Sequence, residues 1–143
     1  MHKTLQKQYL VLVMPGLGLF LALGLAHALN LVTPGRFALL PMAPGMVFIG
    51  AAVTALAGPL FLRTLFAHSV RSQKTVPAAD FLCFQRRLLW VSQATPYLAF
   101  VAVLFEFPRF YAVAIVLMGL YAMYYYFPSQ QRIGFDKKIF RVT

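Results

Sequence analysis

YLVLVMPGLGLFLALGLAHALNLV, residues 9–32, runs without one charged side chain. At a rise of about 1.5 Å per residue, a helix over this stretch is longer than the roughly 30 Å hydrocarbon core of a bilayer. The basic start at Lys3 and Lys7 and the small-residue pattern Ala26-His27-Ala28 imitate a cleavable signal. The apolar run, however, exceeds the roughly 7–15 residues of a signal's apolar region, so we read it as a retained membrane helix.

Three further apolar stretches follow. Phe37 to Leu62 contains Pro41 and Pro44; each proline removes a backbone donor and restrains the residue before it, so regular helix is expected from about Pro44. Leu88 to Phe105 carries Pro96 as an expected kink. Phe110 to Phe127 is framed by Pro108, which suits a helix start, and Pro128, which suits a stop. The expected fold class is all-α: a single domain of four transmembrane helices in a bundle, with spans near 9–32, 44–62, 88–105 and 110–127. A basic hairpin at 63–87 and a basic tail at 128–143 complete the expected layout.

Composition supports this class. Hydrophobic residues make up 61% and charged residues 11%, against about one half and one quarter in a soluble domain. The net charge of +10 would suggest nucleic acid in a soluble chain. Here it has a different meaning, and no nucleic-acid partner is expected. With the N-terminus in the cytoplasm, eleven basic residues fall on the inner side (Lys3, Lys7, Arg63, Arg71, Lys74, Arg86, Arg87, Arg132, Lys137, Lys138, Arg141) and only Arg36 and Arg109 on the outer. That bias places both termini in the cytoplasm and the basic segments against anionic lipid headgroups. A bacterial inner membrane is the expected location. Trp90 and the run Tyr124-Tyr125-Tyr126-Phe127 then fall at the inner interface, where amphipathic rings anchor helices.

Small residues recur at every fourth position in two places: Gly18, Ala22 and Ala26 on the first helix, and Gly50, Thr54 and Gly58 on the second. Such stripes let backbones approach closely, and packing within the bundle is the expected use of both. The polar cluster lies on the third helix: Ser92, Gln93, Thr95 and Tyr97 around Pro96. Ser and Thr can satisfy carbonyls freed by a proline, and Gln93 can bond across helices. Alternatively, these four side chains form a polar groove for a lipid, cofactor or small solute. Apolar anchors interleaved with charge mark Arg63, Arg71, Lys74, Phe81, Phe84, Arg86 and Arg87 as expected contacts to a partner or to lipid. Thr75 and Pro77 suit the start of a helix there.

The sequence contains no phosphate-binding glycine loop, zinc motif or nucleophile elbow, and one cysteine, Cys83, permits no intrachain disulfide. No ionisable side chain falls at mid-membrane depth, where proton relays and ion-coupled transporters need one. No cofactor can be named. The leading functional expectation is a non-catalytic accessory or scaffold subunit bound to other membrane-protein subunits. A small oligomeric transporter or lipid-binding module is the first alternative, and a membrane enzyme acting on a lipid or quinone near His68, Cys83 or Glu106 the second.

Overall fold

The computed structural model describes residues 2–31 and 40–143 and is all-helical there, with no strands. Arg36, assigned above to the outer side, lies outside the described residues. In chain order the elements are α1 (His2–Ala28), α2 (Ala43–Ala52), a π-helical turn (Val53–Ala57), α3 (Gly58–Ser69), α4 (Ala78–Leu104), α5 (Arg109–Tyr125) and α6 (Gln130–Ile139). Three continuous helical stretches, His2–Ala28, Ala43–Ser69 and Ala78–Leu104, are long and apolar enough to cross a membrane. A fourth is reached if α5 and α6, bent by 76° to each other, count as one broken span.

The helices are apolar on the outside. Leu10, Val11, Met14, Leu17, Leu21 and Leu25 of α1, and Val113, Leu117 and Leu120 of α5, are all exposed. Buried polar side chains lie inside instead: Gln85, Ser92, Gln93 and Thr95 of α4 and Asp136 of α6. This inversion is the arrangement that lipid favours, because polar side chains need partners from other helices when the solvent offers none. α4 is the central element and packs against α1, α2, the π turn, α3 and α5.

Two cores hold the bundle. At one end, Leu5, Tyr9 and Val13 of α1 meet Phe81, Phe84, Leu88 and Leu89 of α4 together with Ile133 and Phe140 from the C-terminal tail. At the other, Ala51, Ala99, Ala102, Phe107 and Ile115 pack α2, α4 and α5 together. The first core gathers the N-terminus, the α3–α4 connection and the tail at one end, which we call the basic end.

The π turn has a local cause. Pro59 has no N–H to donate to the carbonyl of Ala55, four residues back, and its ring crowds that carbonyl. The chain widens there: the Gly58 N–H reaches the Val53 carbonyl, five residues back. The freed Ala55 carbonyl accepts from Tyr126 Oη at 3.1 Å. Two more tyrosines act likewise, Tyr9 donating to Met123 O at 2.8 Å and Tyr97 to Leu12 O at 2.5 Å. Tyr126, expected at the interface, is therefore a link between helices, whereas Tyr124 and Trp90 remain largely exposed.

Helix ends follow the same logic. α1, α4 and α6 each close with a non-glycine residue in the left-handed region, Asn30, Glu106 and Arg141. In each case the next N–H bonds back five residues: Leu31 to Ala26, Phe107 to Ala102 and Val142 to Lys137. This pattern satisfies carbonyls that the helix leaves open. α4 starts at Ala78 with Pro77 before it and no side-chain cap, so Thr75 does not play the capping role expected of it. Ser129 does cap α6, accepting from the Arg132 N–H at 3.3 Å.

The stripes of small residues divide. A Cβ on Gly50 would lie 3.7 Å from Leu98, and one on Gly58 only 2.8 Å from Val91, so α2, the π turn and α3 pack tightly on α4. Among the described residues the stripe on α1 finds little packing. Gly18 has nothing within 4 Å of its Cβ position, Ala22 is exposed and Ala26 is half-buried. α1 approaches α4 through Gly16 instead, which faces the Tyr97 ring at 3.7 Å. A further close approach, Gly119 of α5 against the Pro96 backbone at 3.5 Å, was not anticipated.

Candidate functional site: a groove on the central helix

A groove of about 590 Å³ lies on α4 between α1 and the π turn, lined by Leu12, Thr54, Trp90, Gln93, Ala94, Tyr97 and Leu98. Of the four residues expected to form a polar groove, Gln93 and Tyr97 line it. Ser92 and Thr95 face elsewhere and are fully buried. Ser92 bonds back to the Leu89 carbonyl at 3.2 Å, the local bond open to a helical serine. Thr95 meets Thr54 at 2.9 Å, and Thr54 in turn reaches the Gly50 carbonyl at 2.9 Å. If Thr95 donates to Thr54 and Thr54 to Gly50, each hydroxyl proton has one acceptor.

Gln93 is different. The residue is 1% exposed, and neither its Nε2 nor its Oε1 has a hydrogen-bond partner. A buried unpaired amide costs roughly 1–3 kcal/mol. Around it the polar groups are already engaged: Tyr97 by Leu12, and Thr54 by Gly50 and Thr95. Gln93 thus offers two donors and one acceptor in a site otherwise walled by apolar side chains and Trp90.

A second polar cluster lies at the basic end. Asp136 of α6, 5% exposed, pairs with Arg63 of α3 and accepts from Gln85 Nε2 of α4 at 3.0 Å. It ties three elements together. Next to it, the Arg132 guanidinium lies 3.9 Å from the centroid of the Tyr125 ring, which also meets Tyr121 at 5.1 Å and Tyr126 at 5.0 Å. Nothing in the local sequence pattern assigns Asp136 a role. A lone acid in a basic tail was the signal to follow. The tail is also stitched to the loop before α4: Val76 N–H donates to Arg141 O and Thr143 N–H to Val76 O, both at 3.2 Å.

The expected docking residues separate into two groups. Phe81 and Phe84 are buried and meet Phe140 and Phe66; Phe66 stacks on Phe84 at 4.3 Å with planes 9° apart. As anchors for an outside partner they are therefore not available, because the chain's own tail covers them. Arg63 is engaged by Asp136. Arg71, Lys74, Arg86 and Arg87 are exposed. Two of the three positions considered for an enzyme lie far apart: Cys83 is near the start of α4 and Glu106 just past its end, roughly 35 Å away at helical rise. Among the described residues no three His, Cys, Asp or Glu side chains are placed to share a metal ion.

Compared with known proteins, the chain matches no family model, no curated protein and no solved structure.

Proposed function

We propose that this chain is a membrane-embedded binding module for a lipid or similar amphiphile, whose carbonyl or hydroxyl groups are held by Gln93. The observation that carries this reading is the buried, unpartnered Gln93 amide on the floor of a groove with apolar walls. Lone polar groups in lipid are normally paired, and a site that keeps one unpaired is suited to a ligand that pairs it. Depth supports a lipid. Gln93 is one helical turn deeper than Trp90, the residue type that marks the membrane interface, which is the level of lipid ester carbonyls.

The topology that goes with this function has four spans with α5 as the last, both termini in the cytoplasm and a bacterial inner membrane as the location. At 17 residues, α5 is at the lower limit for crossing. The orientation draws support from the gathering of Leu5, Phe81, Phe84 and Phe140 in one core, which brings the lysines and arginines of three segments to the same side. A membrane-impermeant thiol reagent added outside intact cells should leave Cys83 unlabelled, and labelling there would invert the topology.

The binding reading is tested by purifying wild type and Gln93→Leu in mild detergent and weighing the amphiphiles each retains by mass spectrometry. The wild type should carry one retained species near stoichiometry, and Gln93→Leu should lose it while melting no lower. Equal retention by both would remove the groove from consideration.

A second reading, the accessory subunit, is favoured by one observation. The small-residue face of α1, Gly18 with Ala22 beside it, is left uncovered by the other described residues. A helix of another membrane protein could approach there as closely as α4 approaches Gly58.

A further inference from the structure

Away from the Gln93 groove, a cleft of about 490 Å³ lies between the end of α3 and the start of α4. Leu62, Leu65 and Phe66 form its apolar wall, and Asp80, Cys83 and Arg87 of α4 line the other side. Asp80 and Arg87 are seven residues apart, two turns and roughly 10 Å along the same helix face. The two are nevertheless unpaired: no salt bridge joins them, in contrast to Arg63 and Asp136 nearby.

A cation and an anion held apart over an apolar wall complement a ligand that itself has an anion, a short spacer, a cation and an apolar tail. Their order matters. Arg87 is one turn outside Trp90 and so lies at the phosphate level of a bilayer, while Asp80 is two turns further from the hydrocarbon. We propose that this cleft binds a phospholipid with a primary-amine headgroup, of the phosphatidylethanolamine kind. Arg87 donates to the phosphate oxygens and Asp80 accepts from the ammonium; Phe66, stacked on Phe84 between the two charges, and Leu65 wall the headgroup, and Leu62, one turn deeper, meets the glycerol end of the lipid. A headgroup bearing only negative charge leaves Asp80 facing it with like charge. A quaternary ammonium has no N–H for Asp80 to accept. The cleft stands independently of the Gln93 groove.

Cys83, exposed between the two charges, serves as a reporter. The full chain is placed in nanodiscs of phosphatidylcholine and phosphatidylglycerol, with or without phosphatidylethanolamine, and the rate of Cys83 alkylation by a maleimide is followed. Phosphatidylethanolamine should slow alkylation about tenfold, the protection expected of a contact with charge-assisted hydrogen bonds. Asp80→Asn should abolish the difference between lipid mixtures, and Arg87→Gln should do the same. Gln93→Leu should preserve it, which separates this site from the groove. Both charge variants are checked for an unchanged helical spectrum and elution volume. The proposal is overturned by equal rates in all mixtures, by equal protection from phosphatidylglycerol, or by protection that survives Asp80→Asn. Equal protection by soluble phosphoethanolamine in discs lacking the amine lipid would also overturn it, since the glycerol end of the lipid would then have no part.

Discussion

Two stretches of this chain have the same pattern of small residues and fare in opposite ways. On α2, the π turn and the start of α3, Gly50, Thr54 and Gly58 are pressed against Leu98, Thr95 and Val91 of α4. On α1, Gly18 and Ala22 face outward. In water the pattern would decide more, because an apolar face is driven inward. In lipid both faces of a helix are equally comfortable, and small residues permit close approach without compelling it. What selects the face of α2 is a set of directed contacts: the Thr54–Thr95 bond and the Tyr126 hydroxyl on the Ala55 carbonyl. α1 is turned the other way by Tyr9 and Tyr97, whose hydroxyls bond across to Met123 and from α4 to Leu12.

The comparison can be broken most forcefully at Gly58. Its Cβ position is 2.8 Å from Val91 and 3.0 Å from the Val53 carbonyl, so Gly58→Leu should cost at least the roughly 1–3 kcal/mol of an overpacked core. The expected outcome is loss of the folded species on size-exclusion chromatography in detergent. A smaller effect is expected at Asp136. Asp136→Ala strands the buried Gln85 amide and releases Arg63, costing roughly 1–3 kcal/mol, and should show as a lower melting temperature with faster proteolysis of the tail. Asp136→Asn, which can still accept from Gln85, should recover part of the loss.

Tyr126→Phe is a finer probe. It leaves the Ala55 carbonyl, already abandoned by Pro59, without a donor and should cost about 1 kcal/mol. The double variant with Pro59→Ala should cost less than the sum of the singles, because an N–H at position 59 restores a local partner. Additive losses would mean that the tyrosine does not answer the proline. Smallest of all, Gly18→Leu should leave the melting temperature of the isolated chain unchanged. If α1 docks on another protein, the same variant should lose that partner in a mild-detergent pull-down; a destabilised monomer would instead place the α1 stripe inside the bundle.

Much of the architecture was legible in the amino acids. Uncharged runs long enough for a bilayer marked the helices, Pro108 marked the start of α5 within one residue, and the polar cluster marked α4 as the helix with buried side chains to satisfy. Other features were not legible. The π turn follows from Pro59, but a proline inside an apolar run is equally consistent with a kink. The pairing of Arg63 with Asp136 spans distant parts of the chain, and no periodicity connects them. Phe81 and Phe84 read as surface anchors because the hairpin alone would expose them; only the returning tail, with Phe140, covers them.

By itself, then, the sequence determined that several helices are long and apolar enough to cross a membrane, and proline placed some of their ends, as Pro108 does for α5, since apolar length and proline act within a few residues. The tertiary structure alone decided which faces meet. In lipid no hydrophobic gradient orients a helix about its axis, and that rotation is left to individual hydrogen bonds, close glycine contacts and one ion pair between residues far apart in the chain. The same reason explains the candidate site. The sequence placed Gln93 among the polar residues of α4, but only after Ser92, Thr95 and Tyr97 had found their partners did Gln93 stand out as the one whose amide had none.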